Sequence, residues 1–224
     1  LHAGAIGNEV RNISLDANGK TGCTGIGLVN TYANAVRCKV TGFSTGINCD
    51  WTQNRIEDCY ASGCTVGFHC GGSTPVHTVG CVASGGTTGF ETATAAGALF
   101  VHCIATGCSG VGFALNNQNS LAINCSAYNC TLDNFKLNGI EVECRNCVSY
   151  GSAAKQFNAV AITNHARLIN CYGDAGGTGS YAFFNDWEVQ NFTTITGNPY
   201  TNSGSGDFSL NNTAGGGAAA RATG

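Results

Sequence analysis

The sequence predicts an all-β chain wound as a parallel β-helix, a solenoid with about 22 residues per coil. Three observations carry this expectation. Cysteines recur at positions 38, 59, 81, 103, 125, 147 and 171, with gaps of 21, 22, 22, 22, 22 and 24. A second column, aliphatic and then aromatic, recurs at Ile26, Ile47, Phe68, Phe90, Phe113, Phe135, Phe157 and Phe183 with nearly the same gaps. Apolar residues nowhere keep the 3.6 period of a packed helix, so short strands make up each repeat.

The repeat reads "EDCYASGCTVGF", "VGCVASGGTTGF", "VHCIATGCSGVGF" and "INCSAYNCTLDNF" in successive coils. Two residues after each first cysteine stands a small side chain: Val40, Ala61, Ala83, Ala105, Ala127, Ser149 and Gly173. Cysteine and alanine in alternate positions mark the inward side of a strand. Gly63, Gly85, Gly107 and Gly151 then supply a turn, and the Gly-Phe step opens the next strand. Leucine-rich repeats share the period but need a repeated Leu pattern, and Leu is scarce here. Seven to eight coils are expected over residues 10–196. Residues 1–9 form an N-terminal edge segment, and the Gly/Ala-rich residues 197–224 a C-terminal cap or assembly segment.

Composition narrows the class. The 224 residues include 33 Gly but only 2 Pro, and charged residues are 10 %. Such a chain is too apolar and too weakly charged to stay disordered. A net charge of −3 leaves no basic footprint for nucleic acid. No apolar run approaches the roughly 18 residues of a membrane span. The chain begins at Leu1, and its first ten residues lack the basic start and apolar stretch of a signal peptide.

At Cys59, Ala61, Cys64 and Gly67-Phe68 the chain resembles the right-handed parallel β-helix repeat proteins of the pectate-lyase-like superfamily. Their repeat has Asn, an aliphatic residue two later, a second Asn three further on, and Gly-Ile beyond. Here cysteine stands at both Asn positions, and Cys103, Ala105, Cys108 and Cys125, Ala127, Cys130 repeat the spacing. The resemblance spans roughly residues 10–196 and implies right-handed winding. The tail is similar to the segment closing many bacterial surface β-helix proteins, through Asp207, Phe208 and Leu210, with Gly217-Ala218 where Ser-Pro is usual.

That fold hosts many functions, so sites must be read residue by residue. The cysteines read as small buried apolar residues in a structural ladder of Cys38, Cys59, Cys81, Cys103, Cys125, Cys147 and Cys171. Stacked strands would also bring them within disulfide reach. Asn124, Asn146 and Asn170 form a parallel ladder in which side-chain amides can serve turn backbone groups. Cys144-x-x-Cys147 has zinc-like spacing but lacks a second pair, so no metal and no cofactor is expected. Members of the superfamily that act as lyases hold calcium with acids on neighbouring coils, whereas the 13 carboxylates here are scattered.

Four catalytic candidates remain. His69 and Glu91 occupy equivalent positions on adjacent coils, Asp58 shares a column with His102 two coils away, and Asp186 joins Trp187 and Glu188 in an acid–aromatic cluster. Trp187 and Trp51 are the ligand-binding candidates, since an indole can stack on a sugar ring. The expected function is a non-catalytic structural or adhesive subunit of an extracellular, cell-surface or virion assembly. It would self-associate end to end or as a trimer, because uncapped strand edges invite pairing. The alternatives are a polysaccharide lyase or glycoside hydrolase of the same superfamily, or a monomeric glycan-binding module.

Overall fold

The computed structural model describes residues 1–3, 6–72, 75–93, 97–159, 165–174, 181–182, 188–205 and 207–222. Three parallel sheets, each of nine strands, form the walls of a solenoid. Wall A runs from His2–Ala3 and Thr24–Leu28 through Val66–Cys70 to Tyr181–Ala182. Wall B runs from Glu9–Arg11 to Glu188–Gln190, and wall C from Ser14–Asp16 to Thr193–Ile195. The chain passes B, C, A in every coil. Seven turns are complete between Glu9 and Ala159, and an eighth closes at Tyr181–Ala182. Wall A thus reaches back ahead of residue 10, to His2–Ala3.

The two predicted columns are real registers. Ile26, Ile47, Phe68, Phe90, Phe113, Phe135 and Phe157 pair as successive Cα partners in wall A. The next partner is Tyr181, not the expected Phe183, which lies outside the described residues. The gap from Phe157 to Tyr181 is 24 residues, longer than the regular 22, and the match to a Phe placed the column two residues late. From Phe68 to Phe157 the rings stack with centroids 4.6–4.9 Å apart and planes within 10° of parallel. Each stacked pair adds about 0.5–1.5 kcal/mol beyond its buried area.

Close approach explains the glycine before each aromatic residue. A Cβ on Gly67 would lie 2.6 Å from the carbonyl oxygen of Gly89 in the next coil and 3.1 Å from the Ala83 methyl. Among the described residues, side chains enter this column only at Asn134 and Gln156, both fully buried. There Asn134 Nδ2 donates to Gln156 Oε1 at 3.0 Å and to Ser149 Oγ at 2.9 Å. Gln156 Nε2 has no partner.

The Asn ladder marks a backbone conformation. Asn12, Arg37, Asp58, Gly80, His102, Asn124, Asn146, Asn170 and Asn191 all turn from wall B to wall C with φ between 51° and 65°. Asn enters this left-handed region more readily than most residues. An amide-to-amide bond joins Asn191 Nδ2 to Asn170 Oδ1 at 2.9 Å.

The cysteine after each corner from Arg37 to Asn170 points inward, just ahead of the wall C strand. Its thiol donates to carbonyls that the corner turns into the core: Cys59 Sγ to Glu57 O at 3.3 Å and Ala35 O at 3.5 Å, Cys103 Sγ to Thr78 O at 3.3 Å. A small, weakly polar side chain therefore fills the corner and satisfies its backbone at once. All fourteen cysteines are free thiols, and thirteen are buried.

The C-terminal segment folds back along the outer side of wall C. Tyr200–Asn202 and Asp207–Leu210 pair as an antiparallel hairpin, and Gly217–Ala222 is a short helix. Tyr200 is buried against Val148, Tyr172 and Ile195, and its hydroxyl donates to Val148 O at 3.4 Å. Arg221 ties the helix to the hairpin through the carbonyls of Leu210 and Asn211, both at 2.6 Å. Among the described residues no helix is long and apolar enough to cross a membrane.

Candidate functional site

Two features stand out on the walls. The first is a groove of about 750 Å³ between wall C and the folded-back hairpin. Strands alternate their side chains between two faces, and the inward set of wall C is the Ala column. The outward set therefore forms the groove floor: Tyr60, Val82 and Ile104 in one column, Ser84, Thr106 and Tyr128 in the next. The hairpin supplies Phe208 with Ser203 and Ser205 on its rim. Tyr128 stands edge-on to Phe208 at 6.2 Å and to Tyr200 at 5.7 Å, and stacks on Tyr150 at 5.9 Å. The floor is held by the sheet register on one side and by the buried Tyr200 anchor on the other. None of its described lining residues carries a charge. Such a surface offers ring faces and hydroxyls to an uncharged amphipathic ligand.

The second feature joins three coils on wall A. His69 pairs in register with Asn48 and Glu91. Its Nδ1 lies 3.3 Å from Glu91 Oε2, and its Nε2 lies 3.5 Å from Asp50 Oδ1. Asn48 Nδ2 donates to the other Asp50 oxygen at 2.7 Å. Gly71 leaves the room: a Cβ there would lie 2.5 Å from Asp50 Oδ1. The hydrogen bond to Glu91 raises the His69 pKa above 6.5, against partial burial and with help from the charges of Glu91 and Asp50. Both ring nitrogens are thus engaged by carboxylates of the protein itself. The triad is a tie between coils in which one imidazole bridges two carboxylates, and a proton transfer to substrate would first have to break it.

The other candidates fall elsewhere. Asp58 is exposed at a left-handed corner, with Gly80 between it and His102, so the two form no pair. Trp51 follows Asp50 in the turn from wall A to wall B and is 49 % exposed. Asp186 and Trp187 lie outside the described residues. Cys144 and Cys147 are both fully buried, and among the described residues no group of three or more His, Cys, Asp or Glu is arranged to hold a metal. Burial pushes the Cys49 thiol up to about 11 and those of Cys125 and Cys147 well above 9. These thiols are poor nucleophiles.

Sequence reasoning missed Asp50 and the groove. Asp50 is a diagonal neighbour of His69, two residues past the column partner Asn48, so a same-column comparison passes over it. The groove needs the hairpin to double back, and the available signal was the apolar set Tyr200, Phe208 and Leu210 in a tail otherwise made of small and polar residues.

No protein-family model matches the chain, and a search of curated proteins finds no match.

Proposed function

We propose that the chain is a non-catalytic structural or adhesive subunit of an extracellular or virion assembly, a rigid rod that presents its wall C groove to an uncharged glycan. The observation that carries this reading is the groove lining, where the rings of Tyr60, Tyr128 and Phe208 stand beside Ser84, Thr106, Ser203 and Ser205, with Lys39 Nζ 5.8 Å from the Tyr60 ring centroid. Aromatic faces bury the apolar faces of a sugar, and short hydroxyls exchange hydrogen bonds with its rim. The extracellular or virion setting is supported by the resemblance of the tail around Asp207, Phe208 and Leu210.

Binding of neutral oligosaccharides to the 224-residue chain, by array and then calorimetry, tests the proposal. Retention of a neutral glycan that weakens about tenfold, roughly 1.4 kcal/mol, in Tyr128→Ala supports it. Cleavage of a glycan that is lost in Glu91→Gln would replace it with the hydrolase reading.

A further inference from the structure

We propose that this chain joins end to end with a second copy, the coil at Glu188–Ile195 of one copy receiving the coil at Glu9–Asp16 of the next in the register that runs through the rod. The inference rests on different residues from the groove and goes beyond it.

The first and last coils described for walls B and C carry a related signature. Glu9-Val10-Arg11-Asn12-Ile13-Ser14 aligns with Glu188-Val189-Gln190-Asn191-Phe192-Thr193, identical at the Glu, Val and Asn positions and with a hydroxyl residue closing both. Both have an Asn at the left-handed corner, with φ of 56° at Asn12 and 55° at Asn191. Both replace the corner cysteine of the coils between them with a larger apolar residue, Ile13 or Phe192.

At the far end, two described residues of the inward columns are exposed. Val189 belongs to the inward column of wall B, directly after Cys144 and Leu168, which are fully buried. Val189 itself is 38 % exposed. Thr194, which follows the buried Ser149 in the inward column of wall C, is exposed as well. At the other end Leu15 is half-buried, whereas its column partner Val40 is fully buried. Docked in register, Val189 meets Val10 of the second copy, Phe192 meets Ile13, and Thr194 meets Leu15.

Backbone bonding continues in the same way. In every coil the corner residue donates its N–H to the last wall B residue of the next coil, as Arg37 does to Glu57 O at 2.9 Å and Asn170 to Gln190 O at 2.8 Å. Asn191 stands ready to donate to Arg11 O of the second copy. The facing carboxylates already carry cations, Glu188 on Arg167 at 2.7 Å and Glu9 on Arg11. Because the two faces differ, the joint is heterologous and propagates as a filament rather than closing as a dimer.

Sedimentation velocity and electron microscopy of the 224-residue chain over a concentration series test this, with Val189→Lys and Leu15→Lys each blocking one face. Circular dichroism and cooperative melting confirm that both variants fold. The wild type should lengthen into unbranched filaments as concentration rises. Each variant alone should stay monomeric, and their mixture should stop at a dimer, because only one competent face remains on each copy. Wild-type monomers at every concentration overturn the joint, as does a dimer of Leu15→Lys alone, which would show like ends meeting. Filaments that persist in both variants also overturn this register while leaving the reading as an assembly subunit in place. Glycan binding by a chain that stays monomeric would separate the two proposals in the other direction.

Discussion

Nδ1 of His69 lies 3.3 Å from Oε2 of Glu91, one coil away, and this contact ties adjacent strands of wall A on their outer side. The imidazole is raised above its ordinary 6.5 by that hydrogen bond first and by the charges of Glu91 and Asp50 after it. A histidine whose folded pKa is raised stabilises the fold fully below its unfolded value and loses that contribution as pH rises through the folded one. Stability should therefore fall modestly from about pH 6.5 upward, and His69→Gln should flatten that part of the profile. Urea denaturation at half-unit pH steps measures it. A profile unchanged by the substitution would show that the tie contributes nothing.

Gly67→Ala sets close approach against backbone strain. The new methyl would face the Gly89 carbonyl at 2.6 Å, where both atoms belong to rigid stacked coils. Overpacking of this kind costs about 1–3 kcal/mol. The contrasting site is Gly63, which has φ of +59° and nothing within 4 Å of where an added Cβ would stand. There Gly63→Ala should cost about 1 kcal/mol through φ alone, and Gly63→Asn should be nearly neutral, since Asn129 occupies the same corner two coils along from Gly85. Thermal melts of the three variants should rank Gly67→Ala lowest and Gly63→Asn nearest to wild type.

Much of the rod was legible because a solenoid repeats its solution in every coil. Phe68, Phe90, Phe113, Phe135 and Phe157 each face the same environment, so the period of the sequence is the register of the sheet. The legible part ends where the repetition ends. Tyr181 replaced the expected Phe183 after the chain lengthened between coils, and the Tyr200–Leu210 hairpin packs on Tyr128 through contacts more than fifty residues apart in sequence. The ladder of Asn124, Asn146 and Asn170 was visible as a column, but its cause was not. Column membership says which residues stack, whereas the left-handed φ at each corner explains why Asn is suited there.

The same corner gives a stabilising substitution. Arg37 holds φ of 51° in a column otherwise rich in Asn, and its side chain is exposed. A long side chain pays more than Asn does for the left-handed conformation. Arg37→Asn should raise stability by about 0.5–1 kcal/mol, which for a chain of this size is roughly 1–4 °C in melting temperature. A fall in melting temperature would mean that the charge of Arg37, near Glu9, outweighs the backbone term.

The free thiols predict an unusual reactivity profile. Thirteen of the fourteen cysteines are buried, and Cys23 is half-buried near the surface, with its thiol donating to Lys20 O at 3.6 Å. Buried thiols react slowly because the reagent is excluded, and those that burial holds above their ordinary pKa, such as Cys49 and Cys125, are also short of the reactive thiolate. Iodoacetamide at pH 8 should modify about one thiol per native chain, at Cys23, and all fourteen in guanidinium. Cys23→Ser should then bring the native count close to zero. Rapid labelling at Cys59 or Cys103 in the native state would mean that the corners of walls B and C open readily. The carbonyls those thiols satisfy would then be exchanging with water rather than forming a closed interior column.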